Sequence, residues 1–215
     1  MTDLDLRCYF VTGTGGDIVA RARDAARGGA GVIQVRSKPI SARELYDLSL
    51  AVVREVREVN PATRVLVDDR VDVALALRDE GVAGVHLGQD DLDVRVAREL
   101  LGPDAVIGLT TGTLDLVRAA NDLSDALDYV GAGPFRATPT KVSGRPLLGL
   151  EGYPALVAES AVPVVAIGDV TVDDAADLAA TGVAGVAIVR GIMQAAEARD
   201  YVSDVVSEFE RGRSR

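Results

Sequence analysis

The 215-residue chain has no tryptophan, three phenylalanines and five tyrosines, so its core must be built mainly from aliphatic side chains. Its one cysteine, Cys8, excludes an intrachain disulfide. One cysteine and one histidine, His86, also fall short of a tetrahedral zinc shell. Cys8 lies in an apolar run and reads as a buried small hydrophobe, not a nucleophile. His86, between Val85 and Leu87, reads as a hydrogen-bonded core residue in preference to a catalytic base. No apolar run approaches the roughly 20 residues of a membrane span. The acidic start, MTDLDLR, lacks the apolar stretch of a signal peptide. The cytoplasm is therefore the expected compartment. A formal net charge of -10 sets an overall field that disfavours nucleic acid and anionic membranes as partners. It does not exclude a phosphate ligand, because a local cluster of donors can override the global sign.

Lysine is nearly absent: Lys38 and Lys141 are two of 23 basic residues, and the rest are arginine. Coding bias toward arginine would produce this. So would retention of lysine where a compact ammonium does what a planar guanidinium cannot. The contexts, Gln34-Val35-Arg36-Ser37-Lys38 and Thr138-Pro139-Thr140-Lys141, follow apolar runs and look like parts of an anion site.

The size suits one domain with a substantial core. Short β-rich runs alternate with longer amphipathic segments. Strands are predicted at Cys8–Val11, Val32–Val35, Arg64–Val67, Gly84–Leu87, Ala105–Gly108, Tyr129–Gly131, Val164–Ala166 and Val186–Val189. Helices are predicted at Asp17–Arg27, Arg70–Asp79, Leu92–Leu101, Thr113–Leu123, Gly149–Glu159 and Thr171–Ala180. A capping box, Ser41 with Glu44, opens a further helix after the second strand. A short helix after the last strand and one near Arg199–Glu210 complete the pattern, with a frayed tail expected at about 211–215. The motif G-x-A-G-V recurs at Gly28–Val32, Gly81–Val85 and Gly182–Val186. Its first glycine fits the positive-φ position that ends a helix, and its second suits close packing where a strand begins. Eight strand–helix units point to a (β/α)₈ TIM barrel more than to an open sheet. The long connection from Ala132 to Leu148 is the irregular part.

In such a barrel the residues after each strand converge on one mouth. Those residues are Arg36 and Lys38; Asp68 and Asp69; Gln89, Asp90 and Asp91; Thr110 and Thr111; Thr138, Thr140 and Lys141; Gly168; and Val189 with Arg190. Arg36, Lys38 and Lys141 offer cationic donors to phosphate oxygens. Asp69, with Asp90 or Asp91, offers hard carboxylates to Mg²⁺. Gly168-Asp169 and Val189-Arg190 lie where barrels commonly take a second phosphate on backbone amides. Taken singly, each charged residue is better read as half of a surface ion pair; the whole set at one barrel face is not.

At these residues the chain resembles the thiamine-phosphate synthase family. The family pattern Q-x-R-x-K matches Gln34–Lys38, and N-D-x matches Asp68-Asp69-Arg70. G-V-H-L-G-Q-x-D matches Gly84–Asp91, and I-G-x-S matches Ile107–Thr110. G-P-x-x-x-T-x-T-K matches Gly133–Lys141, V-A-I-G-G matches from Val165 to Gly168, and a strand ending V-S matches Val189-Arg190. The resemblance covers nearly the whole chain. It implies a (β/α)₈ barrel that joins hydroxymethylpyrimidine diphosphate to a thiazole phosphate, with Mg²⁺ as cofactor. It further implies that Gln34, Arg36 and Lys38 hold the pyrimidine diphosphate, with Asp68 where the family's pyrimidine-contacting Asn stands, and that Thr110, in place of the family's Ser, keeps a substrate-binding hydroxyl. Asp69 and Asp91 would bind Mg²⁺, and Thr138 and Thr140 would contact the thiazole. Lys141 would hold the diphosphate, and Gly168, Val189 and Arg190 the thiazole phosphate. Arg36, Lys38, Thr110 and Lys141 are the expected catalytic set. A homo-oligomer is an expectation the sequence leaves open.

Three positions depart from that pattern. Asp68 stands for the usual Asn and cannot donate a hydrogen bond while ionised. Asp169 replaces the second glycine of G-G, and Arg190 replaces a serine. Two other readings share the fold: a thiazole tautomerase-like relative, and a phosphate-binding barrel without turnover.

Overall fold

The computed structural model describes residues 4–137, 144 and 146–215. Among them, eight parallel strands close into a barrel in sequence order. They are β1 (Cys8–Val11), β2 (Val32–Val35), β3 (Arg64–Asp68), β4 (Gly84–Leu87), β5 (Val106–Thr111), β6 (Tyr129–Ala132), β7 (Val164–Ile167) and β8 (Gly185–Ile188). Each pairs with the next, and β8 closes on β1 with Tyr9 opposite Ala187. The helices are α1 (Ile18–Arg27), α2 (Ala42–Val59), α3 (Val71–Ala76), α4 (Val94–Leu101), α5 (Leu114–Asn121), α6 (Tyr153–Glu159), α7 (Ala175–Ala180), α8 (Arg190–Gln194) and α9 (Ala198–Arg213). A 3₁₀ turn, Val172–Asp174, leads into α7. No helix among the described residues is long and apolar enough to cross a membrane.

Strand alternation divides the core in two. Cys8, Phe10, Ile33, Val65, Val67, Val85 and Ile107 pack outward against the helices. Tyr9, Val11, Val32, Leu66, Val106, Tyr129, Val165 and Ala187 fill the barrel interior. Both faces of every strand are therefore covered, which is why the strands read as near-continuous apolar runs. Counting by twos along a strand carries the inner row up to the mouth: Val32 leads to Gln34, Leu66 to Asp68, Gly84 to His86 and Val106 to Thr110.

The second glycine of each G-x-A-G-V copy is a steric necessity. A Cβ on Gly31 would lie 2.1 Å from the Asp5 carbonyl oxygen, on Gly84 1.9 Å from that of Val106, and on Gly185 1.6 Å from that of Leu6. The first glycine behaves as expected at Gly81 (φ 108°) and Gly182 (φ 92°). In the remaining copy the left-handed residue is Gly29 (φ 100°), because Gly28 (φ -76°) still belongs to the last turn of α1.

The capping box forms as expected, with the Glu44 amide donating to Ser41 Oγ at 3.2 Å and the Ser41 amide donating to Glu44 Oε2 at 3.0 Å. Other boundaries differ from the sequence reading. β5 runs on to Thr111, so Thr110 is part of the strand rather than the loop after it. β8 ends at Ile188, leaving Val189 as the residue before α8. The helix expected from Gly149 starts at Tyr153. α9 continues to Arg213, the Arg215 guanidinium pairs with Asp177 at 2.9 Å, and Gly212 sits so close to α7 that a Cβ would meet the Ala176 oxygen at 2.0 Å. The long connection after β6 is pinned at its described ends, where the Leu148 amide donates to Pro134 O and that of Gly149 to Phe135 O.

Candidate active site

A cavity opens at the C-terminal ends of the strands. Its floor is Tyr9, Gln34, Asp68, His86, Thr110 and Tyr129; Val165, Ile167 and Val189 form an apolar side; Asp169 and Arg190 stand at the far end. A second cavity adjoins it through Arg36 and Asp68 and takes in Lys38, Asp69 and Arg70. The sequence-predicted groups thus fall at two ends of one trough.

At the near end, Lys38 bridges two carboxylates. Its Nζ lies 3.0 Å from Asp68 Oδ2 and hydrogen-bonds Asp69 Oδ2. Arg36 Nε stands 3.5 Å from Asp68 Oδ2. Burial works against the Lys38 ammonium, but the Asp69 hydrogen bond and the Asp68 charge outweigh it and raise its pKa. Burial, with the neighbouring Asp69 charge, pushes the Asp68 carboxyl up despite both cations. Asp69 is held in the left-handed region at φ 59°, a conformation Asp tolerates better than most residues. This turn aims its carboxylate back across the strand ends. Asp91 Oδ2 accepts the Gly88 amide at 2.6 Å. Burial raises the Asp91 pKa, and the adjacent Asp69 carboxylate adds to the effect. Asp69 and Asp91, from consecutive strand ends, therefore face each other. Gln89 donates to Thr110 O at 2.6 Å and braces the end of β5.

At the far end, Gly168 adopts φ 115°, and a Cβ there would fall 2.6 Å from Phe135 N. Asp169, the other described non-glycine residue at positive φ, pairs with Arg190. The two departures from the family pattern thus answer each other directly. Thr138, Thr140 and Lys141 lie outside the described residues.

Across the floor runs a hydrogen-bond chain that the sequence reading did not assemble. Gln34 Nε2 donates to Asp68 Oδ1 at 2.5 Å, and Tyr9 Oη donates to Gln34 Oε1 at 2.8 Å. The Tyr9 and Tyr129 hydroxyls are 2.7 Å apart. His86 Nδ1 is 2.9 Å from Tyr129 Oη, and its Nε2 is 2.9 Å from Thr110 Oγ1. His86 is thus hydrogen-bonded, as expected, but inside the site. Tyr9 and Tyr129 were missed because each reads as a core aromatic. A signal was present in Gly108, where a Cβ would lie 2.1 Å from Tyr129 Cζ, a glycine that makes room for one ring.

Fold and site together define a (β/α)₈-barrel enzyme shaped for an anionic substrate. The chain belongs to the thiamine monophosphate synthase family, whose model matches residues 8–192. It is 65% identical over 214 residues to the thiamine-phosphate synthase of Corynebacterium jeikeium, covering 99% of this chain and 98% of that protein. Its identity to the thiamine-phosphate synthase of Corynebacterium efficiens is 61%, with 97% of each covered. The solved thiamine phosphate pyrophosphorylase of Pyrococcus furiosus superposes with a TM-score of 0.83 at 32% identity, over 97% of this chain and 98% of that one. The (β/α)₈ expectation and the family resemblance both hold.

Proposed function

We infer that this transferase condenses 4-amino-2-methyl-5-(diphosphooxymethyl)pyrimidine with a thiazole phosphate, giving thiamine phosphate and diphosphate. The observation that carries the reading is the two-ended trough: Arg36 and Lys38 among carboxylates at one end, Gly168, Val189 and Arg190 at the other, and a polar floor between. The spacing of two anion-binding ends on one floor suits two phosphorylated substrates meeting in the middle.

The carbon–oxygen bond between the pyrimidine methylene and the diphosphate breaks, and the thiazole nitrogen supplies the electron pair for the new carbon–nitrogen bond. That nitrogen is already nucleophilic, so no strong general base is needed. Arg36 and Lys38 hold the departing diphosphate, aided by Lys141. Charge-assisted donors of this kind stabilise negative charge as it develops on the leaving oxygen. Gln34, Asp68 and Thr110 orient the pyrimidine. Thr138 and Thr140 contact the thiazole, and amides at Gly168 and Val189-Arg190 hold its phosphate.

The charge balance of the near end supports a divalent cation. Arg36 and Lys38 face three carboxylates, Asp68, Asp69 and Asp91. That set alone would repel a diphosphate. Asp69 and Asp91, hard oxygen donors side by side, fit Mg²⁺, which commonly takes one or two carboxylates and completes its shell with substrate phosphates and water. No group of three or more His, Cys, Asp or Glu is placed for a metal among the described residues. When bound, Mg²⁺ neutralises charge on the leaving diphosphate.

The test is direct. Purified protein given both substrates and Mg²⁺ is expected to form thiamine phosphate, and a chelator to stop it. Binding of thiazole phosphate without any product would overturn the synthase reading. Asp91→Ala is expected to raise the Mg²⁺ concentration for half-maximal rate, and an unchanged requirement would remove Asp91 from the metal site.

A further inference from the structure

The floor chain joins six side chains from six strands: Thr110 (β5), His86 (β4), Tyr129 (β6), Tyr9 (β1), Gln34 (β2) and Asp68 (β3). We propose that this chain has one polarity, every proton pointing from Thr110 toward Asp68, and that Tyr9, Tyr129 and His86 are positioning residues that present the Thr110 oxygen to the pyrimidine as an acceptor. The proposal rests on the reading of Thr110 as a pyrimidine-side residue and extends it to substrate selectivity.

The polarity follows from counting protons. Gln34 turns its amide nitrogen to Asp68, which lies beside Lys38 and Arg36, and donates to Asp68 Oδ1. The Gln34 carbonyl then faces Tyr9, whose single hydroxyl proton is used there. Tyr9 can offer Tyr129 only a lone pair, so Tyr129 donates to Tyr9. Burial, the leading cause for both phenols, holds their pKa values above the ordinary tyrosine value, so each retains the proton this scheme requires. Tyr129 offers His86 Nδ1 a lone pair, so Nδ1 carries the proton. In the neutral ring Nε2 accepts from Thr110, whose proton is committed inward and whose remaining lone pair faces the cavity.

A lone pair there selects a donor on the substrate. An exocyclic amine on the pyrimidine satisfies it, and an oxo group in the same place sets acceptor against acceptor. Sites built around one hydrogen-bond sense reject the analogue that lacks it, because a buried group is left unpaired.

His86 is the only histidine, so ¹⁵N-histidine labelling gives the spectrum of a single imidazole. In the substrate-free wild-type protein it is expected to show Nδ1 protonated and Nε2 bare. Tyr9→Phe removes the acceptor of Tyr129 with little change in volume. Tyr129 is then free to donate to Nδ1, and the ring proton is expected to move to Nε2. The same variant is expected to lose about tenfold in its preference for the amino- over the oxo-pyrimidine diphosphate, the worth of roughly one hydrogen bond. Tyr129→Phe, which deprives Nδ1 of its acceptor, should yield a mixture of tautomers and serves if Tyr9→Phe does not fold. A wild-type spectrum with Nε2 protonated overturns the proposal. So does a wild-type Nδ1–H spectrum left unchanged in a folded variant. The tautomer is read without substrate, so failure here is distinct from failure to make thiamine phosphate.

Discussion

Lys38, beyond the end of β2, reaches two consecutive carboxylates at the end of β3, and no arginine could repeat that geometry with a single compact charge. Lys38→Ala is expected to lower kcat/KM by about 10- to 100-fold, the scale of removing one charge-assisted hydrogen bond, while the far-UV circular dichroism stays as in the wild type. Lys38→Arg should recover only part of the rate, and full recovery would mean that charge alone matters. Cys8 makes the opposite point. It is fully buried, and burial pushes its thiol up to about 12. An aromatic disulfide reagent should find no reactive thiol in the native protein and one per chain after denaturation. The placement of Arg36, Lys38 and Asp69 at the mouth was legible in the sequence, because each follows an apolar run that reads as a barrel strand and such strand ends converge on one mouth. That of Tyr9 and Tyr129 was not, because whether a buried phenol fills space or joins a chain depends on what stands opposite it.

Among the elements, the strand-opening glycines set how closely the barrel can wind. Gly84→Ala and Gly185→Ala each drive a methyl group into a backbone oxygen that cannot move without shifting a strand. Overpacking of this kind costs roughly 1–3 kcal/mol, or more where the obstacle is backbone. Chemical denaturation should show the midpoint falling in both variants. Near the bottom of β1, Asp5 takes three hydrogen bonds from Arg7, which hold its pKa below the ordinary aspartate value. A carboxylate lowered in the folded state adds stability above its unfolded pKa, about 3.9, and that stability disappears as pH falls through the folded value. The stability gap between wild type and Asp5→Asn should therefore be present at pH 7 and shrink in acid. The boundaries that the sequence misplaced share a cause. β5 and α9 extend further than their local composition suggests because their ends are held by β6 and α7, partners distant in sequence.

For the molecule as a whole, a formal net charge of -10 opposes the approach of two phosphorylated substrates. The trough answers this locally, with Arg36, Lys38 and Arg190 at its ends. Because Asp68, Asp69, Asp91 and Asp169 offset those cations, the rate without divalent cation should be negligible at any ionic strength, and salt should not substitute for Mg²⁺ in a turnover assay. Much of the architecture was determined by sequence alone. Strand alternation, covered faces and helix caps are local properties, so eight strand–helix units and the mouth at which they converge can be counted along the chain. Tertiary structure decided which mouth residues meet. Closure of the barrel brings Tyr9 of β1 across to Tyr129 of β6 and joins residues from six strands into one polar floor, while pairing of β1 with β2 and of β7 with β8 sets Tyr9 beside Gln34 and Asp169 against Arg190. Those contacts depend on barrel curvature and register, which no short window of sequence contains.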